Sequence, residues 1–241
     1  MTVFAQLSDL HLDGGEHRLE RARRVMARLN AMPLDAVLVT GDIADHGDPA
    51  EYAQAREVLE SPHPVLMCPG NHDVREPYRE VLLGEAPAAA PIDRVERVAG
   101  VLVAMCDSTV PGEDHGSLSE GTLAWLDRVL GEHRAGPAIV CMHHPPVPLG
   151  IPYVDEIRLF GEEGLAGLLA RHPQVVAVLT GHAHTPAATT FAGLPLVVAP
   201  GVVSTLRLPA EAAEVIDPAA PPGAALHVLD AGRLTTHFRT F

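Results

Sequence analysis

Five short segments of this chain carry side chains that can hold a metal ion or move a proton. They are Asp9 and His11 in SDLHL, Asp42 in TGDIAD, Asn71, His72 and Asp73 in PGNHD, His143 and His144 in MHHPP, and His182 and His184 in TGHAH. Each piece alone has an ordinary reading: Gly and Asn form turns, Asp caps helices, and a lone His is more often a satisfied core or surface side chain. Together they offer imidazole nitrogen and carboxylate or amide oxygen, with no cysteine. That donor set argues against thiolate-rich structural zinc and for a hydrolytic centre using Mn, Fe, Co or Zn. Asp9, His11, Asp42, Asn71, His143, His182 and His184 are too many ligands for one ion and suit two that share a carboxylate.

Two divalent ions, two carboxylates and one bridging hydroxide leave a charge of roughly +1, which suits an anionic phosphate ester better than a neutral amide. Ions about 3.5 to 4 Å apart can acidify the bridging water and hold the phosphoryl oxygens for in-line attack. The leaving oxygen still needs a proton or a stabilising charge. His72 is the candidate to supply it, with Asp73 as its orienting partner or as the cap of the next helix.

The elements that must position these groups are legible as apolar runs alternating with amphipathic charged segments, an α/β pattern. TVFAQLS, DAVLVT, HPVLMC, AIVCM and VVAVLT are expected strands, and the five reactive segments stand at their carboxyl ends, where ligand sites assemble in α/β sheets. HRLERARRVMARLNAM, DPAEYAQAREVLES, REPYREVLLGE, SLSEGTLAWLDRVLGEHR and EEGLAGLLARHP are expected helices. RVERVAGVLVAMC suggests two strands turning at Ala99 and Gly100, and the tail from TTFAGLPLVVAPG onward suggests strands interrupted by a flexible PAEAAEVIDPAAPPG. Glycines 41, 70 and 181 permit sharp turns beside a ligand.

With 241 residues, 47% of them apolar, one domain spanning 1–241 is expected. The net charge is -14 and every one of the 17 basic residues is arginine, so stable binding to a long polyanion such as nucleic acid is disfavoured. Cys68, Cys106 and Cys141 lie in apolar runs without a CxxC pair, which fits buried thiols in a reduced cytoplasm. No apolar stretch reaches the roughly 18 residues needed to span a bilayer.

The ordered set DLH, GD, GNHD, HH and GHAH resembles the calcineurin-like metallophosphoesterase superfamily over about residues 3 to 200. Within it the chain is most similar to bacterial class III cyclic nucleotide phosphodiesterases and glycerophosphodiesterases. The resemblance implies a four-layer α/β/β/α sandwich of two mixed sheets flanked by helices, with a dimetal site at strand carboxyl ends. It implies that Asp9, His11 and His184 hold one metal, that Asn71, His143 and His182 hold the other, and that Asp42 bridges them. It makes His72 a substrate-facing histidine near the scissile phosphate, with Asn71 beside it. His144 becomes a substrate-side or supporting residue.

The function expected is metal-dependent hydrolysis of small phosphodiesters, with cAMP or 2',3'-cyclic nucleotides as candidate substrates. A phosphomonoesterase or nucleotide-sugar pyrophosphatase of the same superfamily is the alternative, and a non-catalytic scaffold a weaker one, because His72 and all seven ligands are present. No obvious cap for a base or alcohol is legible, and the carboxyl-terminal strands are the candidate contact for a homodimer. His46, His227 and the remaining histidines are expected to be structural or solvated, and Arg75 to face either the substrate or a salt bridge on the next helix.

Overall fold

The computed structural model describes residues 1–241. Strands β1 (Thr2–Leu7), β2 (Ala36–Thr40) and β3 (Val65–Cys68) alternate with helices α1 (Glu16–Asn30) and α2 (Pro49–Val58). The hairpin of β4 (Arg94–Val98) and β5 (Val101–Met105) turns at Ala99 and Gly100, both at positive φ. Helix α3 (Glu120–Glu132), β6 (Ala138–Cys141), α4 (Glu162–Leu169) and β7 (Val175–Thr180) follow. The tail supplies β8 (Ala187–Phe191), β9 (Leu194–Val198), β10 (Gly223–Asp230) and β11 (Arg233–Thr240).

These strands form two mixed sheets. One has the order β11-β10-β1-β2-β3, with β1, β2 and β3 parallel and β10 antiparallel to β1. The other has the order β8-β9-β7-β6-β5-β4, parallel through its centre with an antiparallel strand at each edge. Strand periodicity decides what lies on each side. Phe4, Leu38 and Cys68 meet Val103, Ile139, Cys141 and Leu179 between the sheets, whereas Leu7, Val37 and Val39 pack under Val25, Met26 and Leu29 of α1. Leu102, Val140 and Val178 lie under Leu126 and Leu130 of α3 and Leu165 and Leu168 of α4. The layers are therefore helix, sheet, sheet, helix, each large side chain buried in them contributing about 1.5–3 kcal/mol.

The helix starts follow the expected chemistry. Ser119 accepts from the Thr122 amide at 3.0 Å, and Asp48 and Glu51 form a capping box at α2. REPYREVLLGE is helical but not a plain α-helix: one turn at Arg75–Pro77 widens into a π-helix at Tyr78–Leu83 that ends at left-handed Gly84. PAEAAEVIDPAAPPG is not simply a flexible interruption either, because Thr205–Leu206 pairs with Ile216–Asp217 and Arg207 binds Asp217 at 2.7 Å. All three cysteines are buried and free, and no helix is long and apolar enough to cross a membrane.

One polar thread runs through the layer between the sheets. Gln6 Nε2 donates to Thr40 Oγ1 and to the Thr180 carbonyl, both at 2.9 Å, and Gln6 Oε1 lies 3.0 Å from His227 Nε2. Thr236 Oγ1 lies 2.8 Å from His227 Nδ1, so a neutral imidazole satisfies both neighbours. Thr40 and Thr180 are the last residues of β2 and β7, two of the five strands that lead into the site.

Candidate metal centre

The loops after β1 and β2 run side by side and are stitched together. Asp9 N donates to Gly41 O, His11 N to Asp42 O and Leu12 N to Ile43 O, at 3.1, 2.9 and 2.9 Å. From the second sheet, Gly181 N donates to His143 O at 2.9 Å, and the 201–203 loop crosses back through Val202 N to Ser8 O at 3.0 Å. The chain turns sharply at each of these strand ends. Asp9, His11, Asp42, His182 and His184 all have φ between 46° and 69°. Asp, Asn and His are the non-glycine residues that enter this region most readily, so donor chemistry and backbone demand select the same residue types here.

The seven expected ligands converge. Asp42 Oδ2 lies 3.3 Å from His11 Nε2 and 3.3 Å from His143 Nε2. On the His11 side, His184 Nε2 is 3.2 Å from His11 Nε2 and 3.6 Å from Asp9 Oδ1. On the His143 side, His143 Nε2 is 3.2 Å from both Asn71 Oδ1 and His182 Nδ1. Two donors about 2.0–2.2 Å from a common ion stand roughly 3 to 3.5 Å apart, the spacing found on both sides of Asp42.

The far nitrogens of three rings are fixed, while His182 turns Nδ1 toward His143 and leaves Nε2 buried without a partner. His11 Nδ1 donates to Asp45 Oδ1 at 3.0 Å, His143 Nδ1 donates to the Thr40 carbonyl at 2.7 Å, and His184 Nδ1 is 2.9 Å from Ser204 Oγ. Each of these three rings therefore turns Nε2 inward, as metal-binding imidazoles do. Asp9 Oδ2 is buried with no partner, an acceptor left over for a cation.

The electrostatics agree. Burial pushes the Asp9 carboxyl up to about 6. Burial also acts to raise Asp42, but His143 and His11 outweigh it and hold Asp42 well below the ordinary carboxylate range. Burial alone would lower His143, yet Asp42, Asp9 and the Thr40 carbonyl raise it to about 9. A buried imidazole that retains its proton among carboxylates marks a place where positive charge is favoured.

The neighbours of the ligand set correct two expectations. Asp73 does not orient His72: it accepts from the amides of Gly70, Ile43 and Ala44 at 2.8, 3.2 and 3.0 Å and lies 3.1 Å from the Tyr52 hydroxyl. Nor is it the helix cap, a position held by Val74. His72 instead donates from Nδ1 to the Asp45 carbonyl at 2.7 Å, which leaves Nε2 free on a side chain 40% exposed. His144 is fully buried, with the Ser108 hydroxyl 2.8 Å from Nδ1 and the Asp114 carbonyl 3.2 Å from Nε2, so neither nitrogen is open to a substrate. A Cβ on Gly116 would overlap its ring.

Arg75 is spent on Asp107, Thr109 and the Ala89 carbonyl. His46 bonds to Glu51 at 2.8 Å, yet lines the cavity beyond His72. Sequence offers a signal for Asp45, the second carboxylate of TGDIAD, and none for Ser204.

Comparison with known proteins agrees with the geometry. The calcineurin-like phosphoesterase family matches residues 2–186. The chain is 35% identical over 220 residues to a cAMP/cGMP dual specificity phosphodiesterase of Mycobacterium tuberculosis, covering 86% of this chain and 69% of that protein. It is 30% identical over 239 residues to the glycerophosphodiester phosphodiesterase GpdQ of Enterobacter lignolyticus, covering 93% of this chain and 86% of that one. Among solved structures, a dimetal phosphatase from Danio rerio superposes with a TM-score of 0.74 at 16% identity, over 99% of this chain and 96% of that one. With a family match over most of its length and the candidate ligands gathered at the strand ends, the chain belongs to the calcineurin-like phosphoesterases.

Proposed function

We propose that residues 1–241 act as one domain that hydrolyses small phosphodiesters, cyclic nucleotides among them, with two divalent ions drawn from Mn, Fe, Co and Zn. The observation that carries this reading is the meeting of two donor sets on one oxygen, Asp42 Oδ2, beside the accessible ring of His72. Bound there, two ions supply a nucleophilic water at neutral pH and a Lewis-acid hold on the phosphoryl oxygens. Asp9, His11 and His184 would hold one ion, Asn71, His143 and His182 the other, with Asp42 between them. Asn71 adds an oxygen donor without adding negative charge, which keeps the site attractive to an anion.

His72 faces the same cavity as Asp42 and Asn71. Its Nδ1 is fixed on the Asp45 carbonyl, so Nε2 is the atom that would approach the leaving oxygen and pass it a proton. His144 holds Ser108 and the Asp114 loop and acts by positioning. The cavity at the ligands contains no arginine, and Arg75 in the adjoining one is already paired. That favours a singly charged diester over a substrate carrying further phosphates. Buried free thiols are consistent with a reducing, cytoplasmic setting.

The test is turnover of bis-p-nitrophenyl phosphate against p-nitrophenyl phosphate after reconstitution with Mn, Fe, Co or Zn. Preference for the diester is expected, and background rates with every metal would overturn the reading. His72→Ala is expected to lower kcat about 100- to 10,000-fold with metal content unchanged.

A further inference from the structure

Two cavities adjoin the candidate ligands and meet at Asn71, His72 and Asp114. Beyond His72, a cavity of about 430 Å³ is lined by Asp45, His46, Arg75, Glu76, Val74 and Val110 among others. Over His182 and His184, a cavity of about 330 Å³ is walled by Tyr153, Ile157, Leu206 and Ile216. Tyr153 and Ile216 are each 59% exposed, unusual for large apolar side chains at the mouth of a site otherwise made of histidine and carboxylate.

Both walls are held in place. Ile216 sits on the short hairpin with Thr205 and Leu206, which is closed by the Arg207–Asp217 ion pair and by Arg207 N donating to Val215 O at 2.7 Å. Leu206 is buried against Ile151 and Val154, two residues before and one after Tyr153, and against Ala183, which separates the two candidate ligands of GHAH. One apolar cluster thus fixes the slot to the ligand loop itself.

We infer that this slot takes the flat, uncharged ring of a phosphodiester, a nucleobase or an aryl group, and that Tyr153 and Ile216 are specificity-determining residues. The inference rests on the phosphodiesterase reading and names the kind of substituent the substrate carries. Three observations select a ring. Four apolar side chains, one of them the aromatic Tyr153, stand in its lining beside the candidate ligands, Asp114 and Ser204, and an aromatic side chain gives a ring a stacking partner. No arginine lines the slot, so it offers nothing to a second anionic group. The cavity of about 330 Å³ is shared with the candidate ligands, which leaves room beside the phosphate for a small substituent and not for a macromolecular segment. The slot is continuous with the metal ligands, so its occupant is part of the reacting molecule.

The experiment uses the metal-loaded full chain and three products or product analogues that share a phosphate: adenosine 5'-phosphate, phenyl phosphate and methyl phosphate. Calorimetry is expected to show the two ring compounds binding about tenfold or more tighter than methyl phosphate, the scale of one stacking contact. Tyr153→Ala with Ile216→Ser is expected to abolish that advantage while methyl phosphate affinity and metal stoichiometry stay as they were. Equal binding of all three by the unmodified protein, or an advantage that survives the double substitution, overturns the slot. So does a dimer that Ile216→Ser dissociates with the ring advantage intact, because the patch would then serve a second copy. Diester turnover measured on the same preparation tests the phosphodiesterase reading separately: turnover with no ring advantage leaves that reading standing and removes only the slot.

Discussion

Asp45 Oδ1 accepts from His11 Nδ1 at 3.0 Å and so turns His11 Nε2 toward Asp42. Arg18 Nη1 lies 2.7 Å from the same oxygen, and the His11 hydrogen bond, with Arg18, keeps the Asp45 carboxyl well below the usual carboxylate range. Asp45→Ala is expected to weaken metal binding about 10- to 100-fold, the usual cost of losing such a supporting carboxylate. Competition with a fluorescent chelator measures it, and unchanged affinity would refute the role.

Asp73 ties two loops together by accepting from Ile43 and Ala44, which follow Asp42, and from Gly70, which precedes Asn71. Asp73→Ala leaves those buried amides without an acceptor. Urea unfolding should show a loss of about 3 kcal/mol or more, since each unsatisfied buried donor costs about 1–3 kcal/mol. An acceptor role alone predicts that Asp73→Asn, which retains one oxygen, recovers part of that loss.

Gly41 has φ +90°, and a Cβ there would overlap the His143 ring and come within 2.9 Å of Gly70 Cα. Gly41→Ala is expected to cost about 1–3 kcal/mol through overpacking. Because the displaced ring is His143, the bound metal measured by mass spectrometry should fall from two ions toward one before the fold is lost. Full occupancy of both sites in a variant that melts normally would contradict this account.

His227 is buried between Gln6 and Thr236, and burial lowers its pKa to about 3. Its unfolded value is about 6.5. Below pH 6.5 the unfolded chain takes up a proton that the folded chain refuses, so His227 lowers stability on acidification, by up to about 1.4 kcal/mol per pH unit down to about pH 3. Above pH 6.5 it contributes no slope. Denaturant melts of the wild type and His227→Gln across pH 4 to 8 should diverge only below about 6.5, the variant having the shallower fall.

The fold was legible because its signals are local. The apolar runs TVFAQLS, DAVLVT and VVAVLT are strands as expected, and the turn at Ala99 and Gly100 follows from residue type; which of their side chains face the other sheet was not legible, because these runs are buried on both faces. The π-helix at Tyr78–Leu83 and the Thr205–Leu206 pairing with Ile216–Asp217 were not legible. The first begins at Tyr78, whose ring packs edge-on against Tyr52 of α2, a contact distant in sequence, and the second pairs residues across a segment rich in Pro and Ala.

For the site, the sequence by itself determined the donors and their order: two carboxylates, one amide and four imidazoles at strand ends, in residue types that also tolerate the left-handed turns required there. Tertiary structure decided which neighbour serves which ligand. Asp73 adjoins His72 in sequence but turns inward to backbone amides, while Asp45, 27 residues away, supplies the carbonyl that fixes the His72 ring. It also decided that His144 is sealed beneath Gly116 and that Tyr153 and Ile216 face one cavity. The physical reason is range. Propensity and pattern act between residues near in the chain, whereas hydrogen-bond choice in a buried site is set by loops that meet only after both sheets have packed.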